Sequence, residues 1–154
     1  MSTDWLLFGH LVGAFLFVSG AVAAGALRLA ALRASRPADV AVLLRAVRPL
    51  VPLIGVGLLT AIGFGFALAD RLHIDLSSTW LIVTFALLAW IGVVGAVAGR
   101  EDRRTRELAE RLAADGSEES AEVAHRLRDA RNLVLNASLL VATVAIVALM
   151  VWKP

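Results

Sequence analysis

The sequence contains no cysteine and a single lysine, and four stretches of 20 residues or more hold no Lys, Arg, Asp or Glu at all. The first absence removes disulfides, thiolate metal sites and thiol catalysis. The last removes the usual marks of an ion pathway, a proton relay or a voltage sensor, which are ionisable side chains within a span. No Ser-His-Asp set, phosphate-cradling glycine loop or acid pair converges on one cavity, so the reading is of a protein that is not an enzyme. Nothing in the pattern points to nucleic acid.

What fills the space is apolar. Of 154 residues, 59% are apolar, against about 45–50% in an ordinary soluble domain, and the mean hydropathy is +0.79. The excess is gathered into Trp5–Leu27, Leu50–Ala69, Trp80–Gly99 and Leu133–Trp152. About 20 apolar residues make a helix that crosses a hydrocarbon core of roughly 30 Å. The expected fold is therefore all-α: one domain over residues 1–154, a four-helix transmembrane bundle with a cytoplasmic helical hairpin extension, its packing expected to be left-handed.

Ala21-Val22-Ala23 has the small-x-small form of a signal cleavage site. Ser2, Thr3 and Asp4 stand where a signal peptide carries basic charge, and Arg28 follows the block, so it reads as a retained helix. Fourteen of the fifteen basic residues are arginine, a bias that fits a GC-rich bacterial genome. Five lie in the connection 28–49 (Arg28, Arg33, Arg36, Arg45, Arg48) and eight in the connection 100–132 (Arg100, Arg103, Arg104, Arg106, Arg111, Arg126, Arg128, Arg131). Arg71 and Lys153 lie elsewhere. The positive-inside rule makes the rich side cytoplasmic, with both termini outside a bacterial inner membrane. Trp5, Trp80 and Trp152 end their blocks on the opposite side, where amphipathic rings anchor at headgroup level. Only Trp90 sits mid-block.

The connections read as structured. Pro37 suits the first position of a helix on which Val40, Leu43, Leu44 and Val47 form a stripe. That stripe fits either the inner leaflet or the bundle's own end. Pro49 and Pro52 break the chain before the second span. In the third connection Asp115-Gly116-Ser117 reads as the turn of a hairpin that continues spans three and four, with Gly116 as C-cap and Ser117 capping the return. Leu108 and Leu112 can then meet Val123 and Leu127, and Glu107–Arg111 and Glu122–Arg126 are i, i+4 pairs. Between spans two and three, Ser77, Ser78 or Thr79 can cap span three.

His10 is the one ionisable group inside a span, on a face with Gly13, Phe17, Gly20 and Ala24. Such a face fits the edge of a haem or a close neighbouring helix; the plainer reading is a neutral imidazole bonded across the bundle. His73 and Asp75 in the outer loop, Asp4, and Met150 near the outer end of span four fall on the same side. Imidazole, carboxylate and thioether could together take a divalent metal or Cu(I), although no local ligand motif unites them. Gly9 with Gly13, and Gly95 with Gly99, are small-xxx-small pairs, and Ala61, Gly65 and Ala69 continue the pattern on span two. Asn132 and Asn136 are expected to bond between helices. Thr60, Thr84, Ser138 and Thr143 are expected to bond carbonyls of their own preceding turn.

His10-Leu-Val-Gly13 followed by Gly20, Thr60-Ala-Ile-Gly63, and Trp80 opening span three together resemble an uncharacterised family of small bacterial predicted integral membrane proteins. That resemblance covers most of the chain and implies four spans without an established activity. Span one is also similar to copper-resistance-D-like and b-type cytochrome membrane domains, which would give His10 the ligand role. Three functions are then expected, in order. The first is a non-enzymatic membrane module that self-associates or packs in a larger complex, with lipid as its surroundings and no cofactor. The second is a redox component binding haem b or copper at His10. The third is a small oligomeric transporter of a neutral solute.

Overall fold

The computed structural model describes residues 2–117 and 121–152, and its six helices follow the charge pattern closely. α1 is Thr3–Arg33, α2 Pro37–Val47, α3 Leu50–Arg71, α4 Thr79–Ala114, α5 Ala121–Arg128 and α6 Ala130–Trp152. Among the described residues there is no strand. Four of the helical stretches are long and apolar enough to cross a bilayer. Their outward faces are apolar too: Leu59 is 72% exposed, Phe15 71% and Val151 71%. In water such a surface would aggregate, whereas in a bilayer it is the solvated face.

Two helices overrun their apolar blocks. α1 has 31 residues and α4 has 36, about 46 and 54 Å at 1.5 Å per residue, so both project past a core of roughly 30 Å. Both overruns are at the arginine-rich end. There, Ala31 of α1, Val40, Ala41 and Leu44 of α2, Ala109 of α4, and Val123 and Leu127 of α5 bury one another. Leu108 and Leu112 flank this cluster, as the hairpin reading expects. Of the two fits open to α2, the bundle's own end is the one seen: Val40 and Leu44 are 2% and 3% exposed. Pro37 stands at its first turn.

Proline makes a bend, not a loop, between α2 and α3. Arg48 and Pro49 both keep helical dihedrals, and Val51 N–H donates to the Arg48 carbonyl. Lacking an N–H, Pro52 costs nothing in the first turn of α3. The turn after α4 is a Schellman stop: Gly116 has φ +75°, and Gly116 and Ser117 N–H donate to the Ala113 and Leu112 carbonyls. Residues 118–120 lie outside the described residues, and with them the expected capping of the returning arm by Ser117; so does Lys153.

Three local expectations need correcting. The returning arm does not run on into span four, because Asp129 interrupts the helix and its carboxylate accepts the Arg131 N–H. Asp129 is a good N-cap, and a capped start competes with helix continuation. Glu122 does pair with Arg126, but Glu107 pairs with Arg103 at 2.8 Å, one turn back, and not with Arg111. Ser78 occupies the N-cap position of α4 with no side-chain cap bond. Its neighbour Asp75 takes both the Ser77 N–H and hydroxyl.

α3 ends on a residue that pays strain for its position. His73 has φ +51°, with His73 and Ile74 N–H donating to Asp70 and Ala69, the geometry that favours glycine. His73→Gly is expected to raise thermal stability, by about 1 kcal/mol; unchanged melting in detergent would show that the loop relaxes around His73.

In the apolar region the helices form two antiparallel pairs, α1 with α3 and α4 with α6. Phe17 of α1, Ile91 of α4, and Ala142 and Ile146 of α6 join the pairs at mid-height. Phe66 of α3 also stacks on Phe85 of α4, with centroids 5.2 Å apart.

Candidate functional site

At the crossing of α1 and α3 the two backbones approach closely, and the approach is built from glycine. A Cβ on Gly57 would stand 2.5 Å from the Phe17 nitrogen and 2.9 Å from the Gly13 carbonyl oxygen. A Cβ on Gly13 would stand 2.9 Å from the Gly57 carbonyl and collide with the Ala61 nitrogen. Gly20 faces Ile54, and Gly9 faces the ring of Phe64. The small face read on span one is therefore occupied by α3. In lipid, where no hydrophobic effect draws helices together, such intimacy supplies the association energy through dispersion.

His10 belongs to this seam. Its Nδ1 lies 2.8 Å from the Ala61 carbonyl oxygen, and its ring fits where Gly65 leaves room, 3.1 Å from a Cβ placed there. A carbonyl can only accept, so Nδ1 carries the proton, and in the neutral ring Nε2 keeps the lone pair. The plainer sequence reading of His10, a bond across the bundle, describes this geometry.

The other candidates for metal ligation have separate engagements. Met150 packs on the Phe17–Ile146 cluster. His73 is the exposed helix stop of α3, and Asp75 forms its Asx turn with Ser77. The Ser77 N–H and hydroxyl hold the Asp75 carboxyl below the usual carboxylate range. With its folded pKa depressed, that turn is stabilised above the unfolded pKa and loosens as pH falls through the lowered one. Asp4 lies in the first turn of α1. Among the described residues no three His, Asp or Glu side chains gather within reach of one ion.

The remaining small and polar residues divide. Gly95 and Gly99 of α4, and Gly92 beside them, have nothing within 4 Å of a built Cβ among the described residues. Asn132 joins α6 to α5 by donating to the Arg126 carbonyl, whereas Asn136 donates to Asn132 within its own helix, so only the first bonds between helices. Thr84, Ser138 and Thr143 bond carbonyls of the preceding turn. Thr60 instead lines an open groove of about 450 Å³ with Leu6, Gly63 and Phe64. Trp5 and Trp152 are 63% and 79% exposed, and Trp80 is half-buried at the start of α4.

One pair went unread in the sequence. Arg28 points sideways from α1, one turn before its end, onto the carboxylate of Asp102 on α4. Its side chain is 7% exposed and that of Asp102 21%. The pair ties the two overrunning helices where the apolar region gives way to the arginine-rich end, and Arg45–Glu110 at 2.9 Å ties α2 to α4 farther out. Acidic residues three and four positions from an arginine on one helix are visible in sequence; partners on helices 70 or so residues apart are not.

Comparison with curated proteins finds no match, and neither does comparison with solved structures. A family model does match, over residues 4–154, and its description is a predicted integral membrane protein. With four apolar helices and a match along nearly its whole length, the chain belongs to that family of integral membrane proteins, DUF2269.

Proposed function

We propose that this protein is a non-enzymatic membrane module that associates with a second copy of itself through α4, in the cytoplasmic membrane of a bacterium, with both termini outside. The observation that carries the association is the contrast between its glycines. Gly9, Gly13, Gly20 and Gly57 are consumed in the α1–α3 seam, while Gly92, Gly95 and Gly99 line an α4 face with open space before them. Small residues cost helix propensity and lose packing, so their use on a lipid-facing helix favours a close helix neighbour. The orientation rests on arginine: thirteen of fifteen basic residues fall in the two connections that share one end.

The test is the mass of the protein purified in mild detergent, compared with a Gly95→Leu/Gly99→Leu variant. The expected result is a dimer for the wild type and a monomer with unchanged melting temperature for the variant. A wild-type monomer, or an equally dimeric variant, rejects the α4 interface.

A second reading keeps His10 as a ligand for haem or copper. What favours it is the Nδ1–H···O=C bond to Ala61, the arrangement that fixes Nε2 as a free donor atom in metal-bound histidines. Against it stands the lack of a second imidazole in any span, since His73 and His125 lie outside them, so a bis-histidine haem does not fit. Protein expressed with added haem and copper should show no Soret band and no stoichiometric metal; a chromophore abolished by His10→Ala establishes the second reading instead.

A further inference from the structure

At the arginine-rich end the arginines fall into two sets. One set is spent on carboxylates: Arg28 on Asp102, Arg45 and Arg106 on Glu110, Arg103 on Glu107, Arg104 on Glu101, and Arg126 on Glu122. The other set has no ion pair among the described residues, and three of its members stand at the edge of an apolar block. Arg48 comes two residues before Leu50, Arg100 directly after Gly99, and Arg131 two residues before Leu133. All three are exposed. At 1.5 Å per residue each lies within about 3 Å of the end of its apolar run, which is the depth of lipid phosphates.

The acids near them are already used. Glu101, next to Arg100, bonds Arg104, and Asp102 bonds the buried Arg28. Asp129 turns its carboxylate to the backbone N–H of Arg131, not to its guanidinium. Asp39 is nine residues from Arg48 on the far end of α2. Nor does α2 carry these charges down into the leaflet, because its apolar stripe is buried against the bundle. Among the described residues these three cations thus stand at one end of the bundle, Arg48 in the bend between α2 and α3, and Arg100 and Arg131 on α4 and α6, which pack together.

We propose that Arg48, Arg100 and Arg131 are binding positions for the phosphates of anionic phospholipids. A guanidinium presents a planar fork that matches two phosphate oxygens, and each such contact supplies an ion pair that these arginines lack among the described residues. A zwitterionic lipid brings its own cation to the same phosphate and gains less. The proposal does not depend on the α4 dimer, because Arg48 lies in the bend before α3 and Arg131 on α6.

The experiment is native mass spectrometry of the purified protein offered equal amounts of phosphatidylglycerol and phosphatidylcholine with matched acyl chains. Wild type is expected to carry phosphatidylglycerol in several-fold excess. The variant Arg48→Gln/Arg100→Gln/Arg131→Gln should bring the ratio close to one. Arg103→Gln/Arg104→Gln, which removes as exposed a pair of charges but from the acid-paired set, should leave the excess in place. Melting temperatures confirm that both variants are folded. Equal binding of the two lipids by wild type overturns the proposal, and so does an equal loss in the acid-paired variant, which would reduce the effect to net charge.

Discussion

Gly57→Leu is expected to destroy the α1–α3 pair, with about 3 kcal/mol or more of stability lost. The collision is with backbone, not with a side chain that can turn away: the Phe17 nitrogen and the Gly13 carbonyl both lie under 3 Å from the new Cβ. Relief requires the two helix axes to separate along the seam, which forfeits the contacts of Gly13, Gly20 and Ala61 together and strands the His10 bond to the Ala61 carbonyl. Gly63→Leu, two turns along the same helix and with nothing within 4 Å, is the matched control and should change stability by only a few tenths of a kcal/mol. The measurement is the midpoint of denaturation by SDS from mild detergent. Similar midpoints for the two variants would mean that α1 and α3 are not so closely joined.

The second large effect is at Arg28. Asp102→Ala leaves a guanidinium that is 7% exposed without its carboxylate, and breaking a buried pair from one side costs about 3–5 kcal/mol. Arg28→Met/Asp102→Leu, which removes both charges and keeps the volume apolar, should recover most of that loss, because the pair's own net contribution is small once desolvation is counted. The same SDS series reads both. If the single variant loses less than about 1 kcal/mol, Arg28 reaches water or lipid phosphate and the pair is a surface one. If the double variant is as unstable as the single, the effect is packing and not charge.

Why the sequence conveys some of this and not the rest follows from the range over which each signal acts. The four crossings come from runs of 20 residues without a charge, a one-dimensional property, and two of them reappear with both edges within a few residues, on α3 and α6. Pro37, Gly116 and the Leu108–Leu127 contact are likewise local chemistry or follow from a short turn. α1 ran six residues beyond its apolar block, because alanine and leucine continue past Arg28 and nothing stops the helix before Ser35 and Pro37. The break at Asp129 was hidden by flanking residues that all favour helix.

The glycines show the limit most plainly. Gly9, Gly13 and Gly20, and equally Gly95 and Gly99, have the same spacing logic. Only the first group meets another helix, since which face of a span turns inward is decided by the rest of the bundle. The Arg28–Asp102 pair is the same problem with charges. Both ends stood among thirteen arginines and ten acids of two connections, with no local rule to pair them.

Topology is the claim on which the rest stands, and the absence of cysteine makes it directly measurable. Single cysteines at Leu76→Cys and Asp115→Cys, both exposed loop positions, need no background removal and can be probed in intact cells with a membrane-impermeant maleimide. The account predicts labelling at position 76 before lysis and at position 115 only after it. Labelling at 115 in intact cells with none at 76 would invert the protein in the membrane, and labelling at both would contradict the four crossings themselves.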